Sequence, residues 1–246
     1  MLRKRLITVL TFNEGVLFRT KLFRPDYRYT LNFVDAWSVD EIVVLDVTRE
    51  QGHEGEFEAV ISQFAQRCFV PVAAGGGLRD LDDVRRFLGL GADKVVLNTG
   101  ALRRPEFISE VARQYGAQCA VVSIDAKRRD DGTYEVYSDF GARPTGIEVT
   151  EWAREAERRG AGELLVTAID RDGWLQGYDL EVSRQVIEAV NIPVLVLGGA
   201  GTWQHFADGF AAGASGVCTQ NIYHFTDRSI RSAKSFLKNA GVQVRE

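Results

Sequence analysis

Two glycine-rich turns, Gly75-Gly76-Gly77 and Gly198-Gly199-Ala200-Gly201, repeat at an offset of 122 residues, and a Gly-Ala pair trails each at the same offset, at Gly91-Ala92 and Gly213-Ala214. Self-similarity at a fixed offset means one supersecondary plan used twice. Each turn ends a short apolar run, and such runs, bounded by turn residues, read as strands buried on both faces of a parallel sheet.

Eight runs of this kind can be placed: Arg5–Leu10, Glu41–Asp46, Pro71–Ala74, Lys94–Leu97, Gln118–Arg128, Leu164–Ala168, Pro193–Leu197 and Gly216–Thr219. Helical spacing lies between them. Ile108, Val111, Ala112 and Tyr115 follow i, i+3, i+4, i+7, as do Val149, Trp152, Ala153 and Ala156. Further helices are expected over Phe57–Cys68, Leu81–Leu88, Val182–Val190, Trp203–Ala212 and Ile230–Ala240, with a short one over Tyr29–Ser38. Thr11–Arg28, with Gly15 and Pro25, reads as a polar loop, and Asp131-Gly132 signals a small β-hairpin. The class is therefore α/β, and the expected fold is a single (β/α)8 barrel over 1–246, made of similar half-barrels of about 1–117 and 118–246. An open doubly wound sheet is the competitor, but the first strand–helix turn lacks the dinucleotide-binding glycines.

Charge and cysteine content narrow the class. A formal net charge of −4 gives no nucleic-acid footprint. Cys68, Cys119 and Cys218 form no C-x-x-C pair and read as reduced packing residues of a cytoplasmic protein. No apolar run is long enough to span a membrane, and MLRKRLITVL meets Thr11 and Asn13 too early for a signal peptide. His53, His205 and His224 are scattered without metal-ligand spacing, so neither metal nor cofactor is expected.

The candidate chemistry sits at strand ends. Glycines let backbone N–H groups approach a phosphate. Gly76 and Gly77 with Asn98 and Thr99, and Gly199 and Gly201 with Asn221, are expected to bind one phosphate each, implying a long substrate phosphorylated at both ends. The alternative is that the glycines only make tight turns. Asp125 ends the fifth strand, on the face where such barrels do chemistry, and is placed for proton transfer between the phosphates. The alternative is a loop-capping carboxylate. Lys127 and Arg128 could meet substrate charge, whereas Asp46, Asp170 and Asp172 are ranked as supporting the site from behind or as loop-shaping. Pairing the halves sets Thr11, not a carboxylate, opposite Asp125. Arg5, Glu41, Lys94 and Glu163 begin strands instead, so they belong at the bottom of the barrel, as either a salt-bridged ring or a solvated rim.

The segments VVSIDAKRR, RPTGIEVTEWAREAERRGAGELLVTAIDRDGWLQGYDLE and VLGGAGTWQHF resemble the cyclase subunit of imidazole glycerol phosphate synthase, and the likeness runs over nearly the whole chain. The resemblance implies a (β/α)8 barrel with a separate glutaminase subunit docked at the bottom, sending ammonia through the barrel to a phosphorylated substrate at the top. It makes Arg5, Glu41, Lys94 and Glu163 the ammonia gate, Asp93 a partner-interface residue and Asp125 one of two catalytic aspartates. The other catalytic aspartate falls on Thr11. The family's strand-one cysteine is Val9, its strand-seven serine is Leu197, and its first-loop lysine is Arg19. The first loop is short and lacks the family's Gly-Asp-Pro, and the last phosphate turn, small in the family, is Thr219-Gln220-Asn221. This pattern looks like divergent members that accompany amidotransferases of cell-surface sugars. A working histidine-pathway cyclase and a non-catalytic barrel that activates its glutaminase are the other readings.

Overall fold

Eight parallel strands pair in chain order, and the last returns to the first. They come from a computed structural model that describes residues 3–29, 39–48, 54–220 and 230–245. The strands are β1 (Arg5–Asn13), β2 (Val16–Lys21), β3 (Arg24–Tyr29), β4 (Glu41–Asp46), β5 (Val72–Gly75), β6 (Lys94–Leu97), β7 (Ala120–Arg128), β8 (Tyr134–Ser138), β9 (Arg143–Glu148), β10 (Glu163–Ala168), β11 (Val194–Leu197) and β12 (Gly216–Thr219). The helices are α1 (Glu54–Arg67), α2 (Leu81–Gly89), α3 (Thr99–Arg103), α4 (Glu106–Tyr115), α5 (Val149–Arg158), α6 (Leu180–Ala189), α7 (Trp203–Ala211) and α8 (Ile230–Asn239). The barrel order is β1-β4-β5-β6-β7-β10-β11-β12, closed by β12 against β1. This is the expected (β/α)8 barrel.

Period-two alternation sorts the side chains. Along β1, Ile7 and Val9 belong to an apolar cluster inside the barrel, while Leu6 and Leu10 join the larger core under the helices. Arg5 and Thr11 share the inward face with Ile7 and Val9, at its bottom and top. The same step from bottom to top reads Glu41, Val43, Leu45 on β4, Lys94, Val96, Asn98 from β6, and Glu163, Leu165, Thr167 on β10. Helices cover the outside by their predicted faces: Val149, Trp152, Ala153 and Ala156 of α5 are buried. The Glu148 carboxylate caps that helix, accepting the N–H groups of Thr150 and Glu151 at 3.0 Å each.

The first loop is a correction. Residues 11–28 are not a polar loop but the top of β1 and the hairpin β2–β3. Glu14 and Gly15 have φ of 47° and 79°, and Leu22 and Phe23 have φ of 51° and 59°, so both turns carry paired positive φ. Such turns match the twist of the flanking strands, and Val16, Leu17 and Phe18 supply β-forming side chains. The expected hairpin at Asp131-Gly132 is β7–β8, continued by β9. Each half thus opens with a nine-residue strand, β1 or β7, that rises past the rim into an antiparallel hairpin. The expected helix over Tyr29–Ser38 falls, beyond Tyr29 itself, outside the described residues.

Candidate active site

Asp125 stands on β7 where the barrel strand becomes the hairpin, level with Thr167 on β10 and Tyr137 on β8. It is 7% exposed. Its carboxylate accepts the Asn98 amide N–H at 2.9 Å and the Ser123 hydroxyl at 3.4 Å. Burial pushes its pKa up from 3.8 to about 7; the bonds from Asn98 and Ser123 oppose the rise and the charge of Asp172 adds to it. A carboxyl half-ionised at neutral pH can both give and take a proton. Asn98 Oδ1 is buried without a hydrogen-bond partner, an acceptor beside the carboxyl. Ser123 was missed by the sequence reading, although its place two residues before Asp125 puts it on the same face of the strand.

Thr11 is buried at the matching place on β1, and its hydroxyl donates to the Phe18 carbonyl at 2.5 Å. The Thr11 hydroxyl therefore fastens the β2 hairpin to the barrel. Asp172 does similar work, as ranked. Its carboxylate accepts the Phe23 N–H at 3.1 Å and its carbonyl the Leu22 N–H at 3.2 Å. Asp46 turns back on the Thr48 N–H at 2.9 Å, and Asp170 accepts the Arg128 N–H at 3.3 Å. Lys127 and Arg128 are drawn onto the hairpin and α6: Lys127 lies 5.5 Å from the Tyr137 ring centre and Arg128 pairs with Glu181 at 3.3 Å.

The glycine turns lie at the top of the barrel, as expected. Gly76 and Gly77 (φ 128° and 64°) follow β5; Gly198 and Gly199 (φ 101° and 97°) follow β11. Asn98 and Thr99 stand beside the first turn, Thr99 accepting the Asp139 N–H at 3.0 Å. Asn221, His53, His224 and the side chain of Arg19 lie outside the described residues. His205 accepts the Gly201 N–H on Nδ1 at 3.1 Å.

At the opposite end, the four strand-starting charges form a closed ring. Arg5 bridges Glu41 at 2.7 Å and Glu163 at 2.6 Å; Lys94 bridges the same two carboxylates at 2.9 and 2.7 Å. Burial pushes the Glu163 pKa up, but Arg5 and then Lys94 outweigh it and leave it below its ordinary value. Burial likewise lowers Arg5, and the two glutamates more than reverse this. Asp93 is exposed on the same face, and its carboxylate accepts the Val72 N–H at 2.8 Å.

A closed parallel barrel with a buried carboxyl at its C-terminal rim defines the (β/α)8 class. Within that class the chain belongs to the histidine biosynthesis protein family, whose model matches residues 8–229. Among the described residues no helix is long and apolar enough to cross a membrane, and no three His, Cys, Asp or Glu side chains gather to hold a metal ion.

Proposed function

We propose that this barrel is the acceptor subunit of a glutamine amidotransferase, similar to the cyclase subunit of imidazole glycerol phosphate synthase. A separate glutaminase docks at the bottom, ammonia passes the Arg5-Glu41-Lys94-Glu163 gate, and a phosphorylated substrate reacts at the top beside Asp125. The observation that carries this reading is the ring. Four charges over an apolar lumen lose hydration, and such pairs add little stability compared with apolar packing. Their retention as a closed ring suits a polar gate for a small hydrogen-bonding molecule. Asp93, exposed beside the ring, is assigned to the partner interface.

Asp125 is assigned proton transfer, and the rebuilt chamber sets this chain apart from a histidine-pathway cyclase. Ring closure needs a proton removed on one side of the substrate and delivered on the other. Thr11 holds its proton far too tightly and has spent it on Phe18. Losing one acid or base costs about 10²–10⁴-fold. Leu197, in place of a hydroxyl, leaves substrate polar groups unmatched. A divergent member serving surface-sugar amidation fits this pattern.

Two measurements test the reading. Added to its cognate glutaminase, the barrel should bind it and stimulate glutamine hydrolysis, and a charge reversal at Lys94 should abolish the stimulation. With ammonium chloride, turnover of the histidine-pathway substrate should fall at least about 10²-fold below the common 1–10³ s⁻¹ range. No binding and no stimulation would remove the amidotransferase assignment. Ordinary turnover abolished by Asp125→Asn would return the chain to histidine synthesis.

A further inference from the structure

The two glycine turns are alike in sequence and unlike in space. In the first turn a Cβ on Gly76 would lie 2.5 Å from Asp46, but one on Gly77 meets nothing within 4 Å, so this turn is open at Gly77. Asp139, whose N–H reaches Thr99, holds Arg103 at 3.1 Å and Arg143 at 3.4 Å. Both guanidiniums remain mostly in solvent, at 67% and 75% exposure. Two exposed arginines thus share one aspartate whose N–H reaches Thr99, and such guanidiniums suit a dianion.

The second turn is filled from three sides. A Cβ on Gly199 would lie 2.2 Å from the Gly177 carbonyl, and one on Gly201 would lie 2.4 Å from the Leu175 carbonyl. The Gly201 N–H, a donor that a phosphate would use, is spent on His205. From above, the Gln220 side-chain carbonyl accepts the Thr20 N–H at 2.8 Å and its hydroxyl at 3.3 Å, tying the β2–β3 hairpin across the mouth. The hairpin tip is further held by Asp172, and the Lys21 ammonium sits 4.3 Å from the Trp174 ring centre. The cavity that Asp172, Leu197, Gly199 and Gln220 help to bound is about 10 Å³. That is room for about one water molecule and too little for a phosphate.

We infer that the ligand of this barrel carries a single phosphate, held at the Gly76-Gly77 turn, with a neutral far end that stops short of the Gly199–Gly201 turn. Gln220 contributes to this specificity by tying the hairpin over the second turn, together with His205 and the Gly177 and Leu175 carbonyls. The inference rests on the phosphorylated-substrate reading and replaces the twin-phosphate expectation of the sequence.

Calorimetric titration of the full chain tests it with inorganic phosphate, ribose 5-phosphate and ribulose 1,5-bisphosphate. One phosphate should bind per chain, and the bisphosphate should bind within about threefold of the monophosphate. Gln220→Ser should admit a second phosphate and tighten the bisphosphate at least about tenfold, the gain available from a second charge-assisted site. Two phosphates per wild-type chain, or a bisphosphate bound more than about tenfold tighter than the monophosphate, would overturn the inference. A folded Gln220→Ser protein that still takes one phosphate would overturn the role of Gln220. Phosphate binding at neither turn, in wild type or variant, would instead remove the phosphorylated-substrate reading and this inference with it.

Discussion

Replacing Asp125 with asparagine should stabilise the protein, and should do so more as pH rises. The carboxyl is buried, and its pKa in the fold is about 7 against 3.8 ordinarily. A raised carboxyl pKa means that the native state binds the proton more tightly than the unfolded chain. Stability is then lost as pH climbs from about 4 to about 7 and stays lost above. At about 1.4 kcal/mol per pH unit, the full rise corresponds to about 4 kcal/mol above pH 7, and to about 2 kcal/mol at pH 5. Asparagine keeps an acceptor for the Asn98 amide and carries no charge, so it avoids this cost. Urea midpoints of wild type and Asp125→Asn should be compared at pH 5 and pH 8 at matched ionic strength. The stability gap should widen by about 2 kcal/mol between them. A gap that is constant or narrows with pH would refute the claim that a desolvated carboxyl is held here. The variant should also lose any turnover, because the group that costs stability is the one assigned to proton transfer.

Other outcomes follow from the same geometry. Glu41→Gln leaves Arg5 and Lys94 each one partner short in a ring where both are only 16% exposed. It should cost about 2–4 kcal/mol in urea unfolding, and a loss under about 0.5 kcal/mol would mean that the ring is effectively solvated. Glu163 has a lowered pKa, so its contribution is present above the ordinary carboxylate range and lost as pH falls through the folded value; Glu163→Gln should flatten the melting temperature between pH 5 and 3. Thr11→Val removes the hydroxyl bond to the Phe18 carbonyl and should cost about 1 kcal/mol, with faster amide exchange in β2, whereas Thr11→Ser should leave that exchange unchanged.

The barrel was legible because its signals are local and repeated. Eight apolar runs, two matched glycine turns and the helical faces between them agree on one architecture. The bottom ring was legible as four charges at strand starts, but its closure needed the barrel's shear, which brings Arg5 of β1 level with charges on β4, β6 and β10. The first hairpin was misread because Asn13-Glu14-Gly15 and Leu22-Phe23 place non-glycine residues at positive φ, where turn rules look for glycine or asparagine. The closure of the second glycine turn was hidden for a different reason. It depends on Thr20 meeting Gln220 across 200 residues of chain, a contact that no pattern in either segment announces.

The bottom ring also has a history within each synthesis of the chain. Three of its corners, Arg5, Glu41 and Lys94, emerge before residue 118, and the fourth, Glu163, emerges after it. The first half alone therefore supplies both ring cations but only one of the two carboxylates that bridge them. Glu163 of β10 completes the ring by standing between Arg5 and Lys94. The ring thus records the moment of closure: its last two ion pairs exist only in a molecule whose halves have met in the correct register.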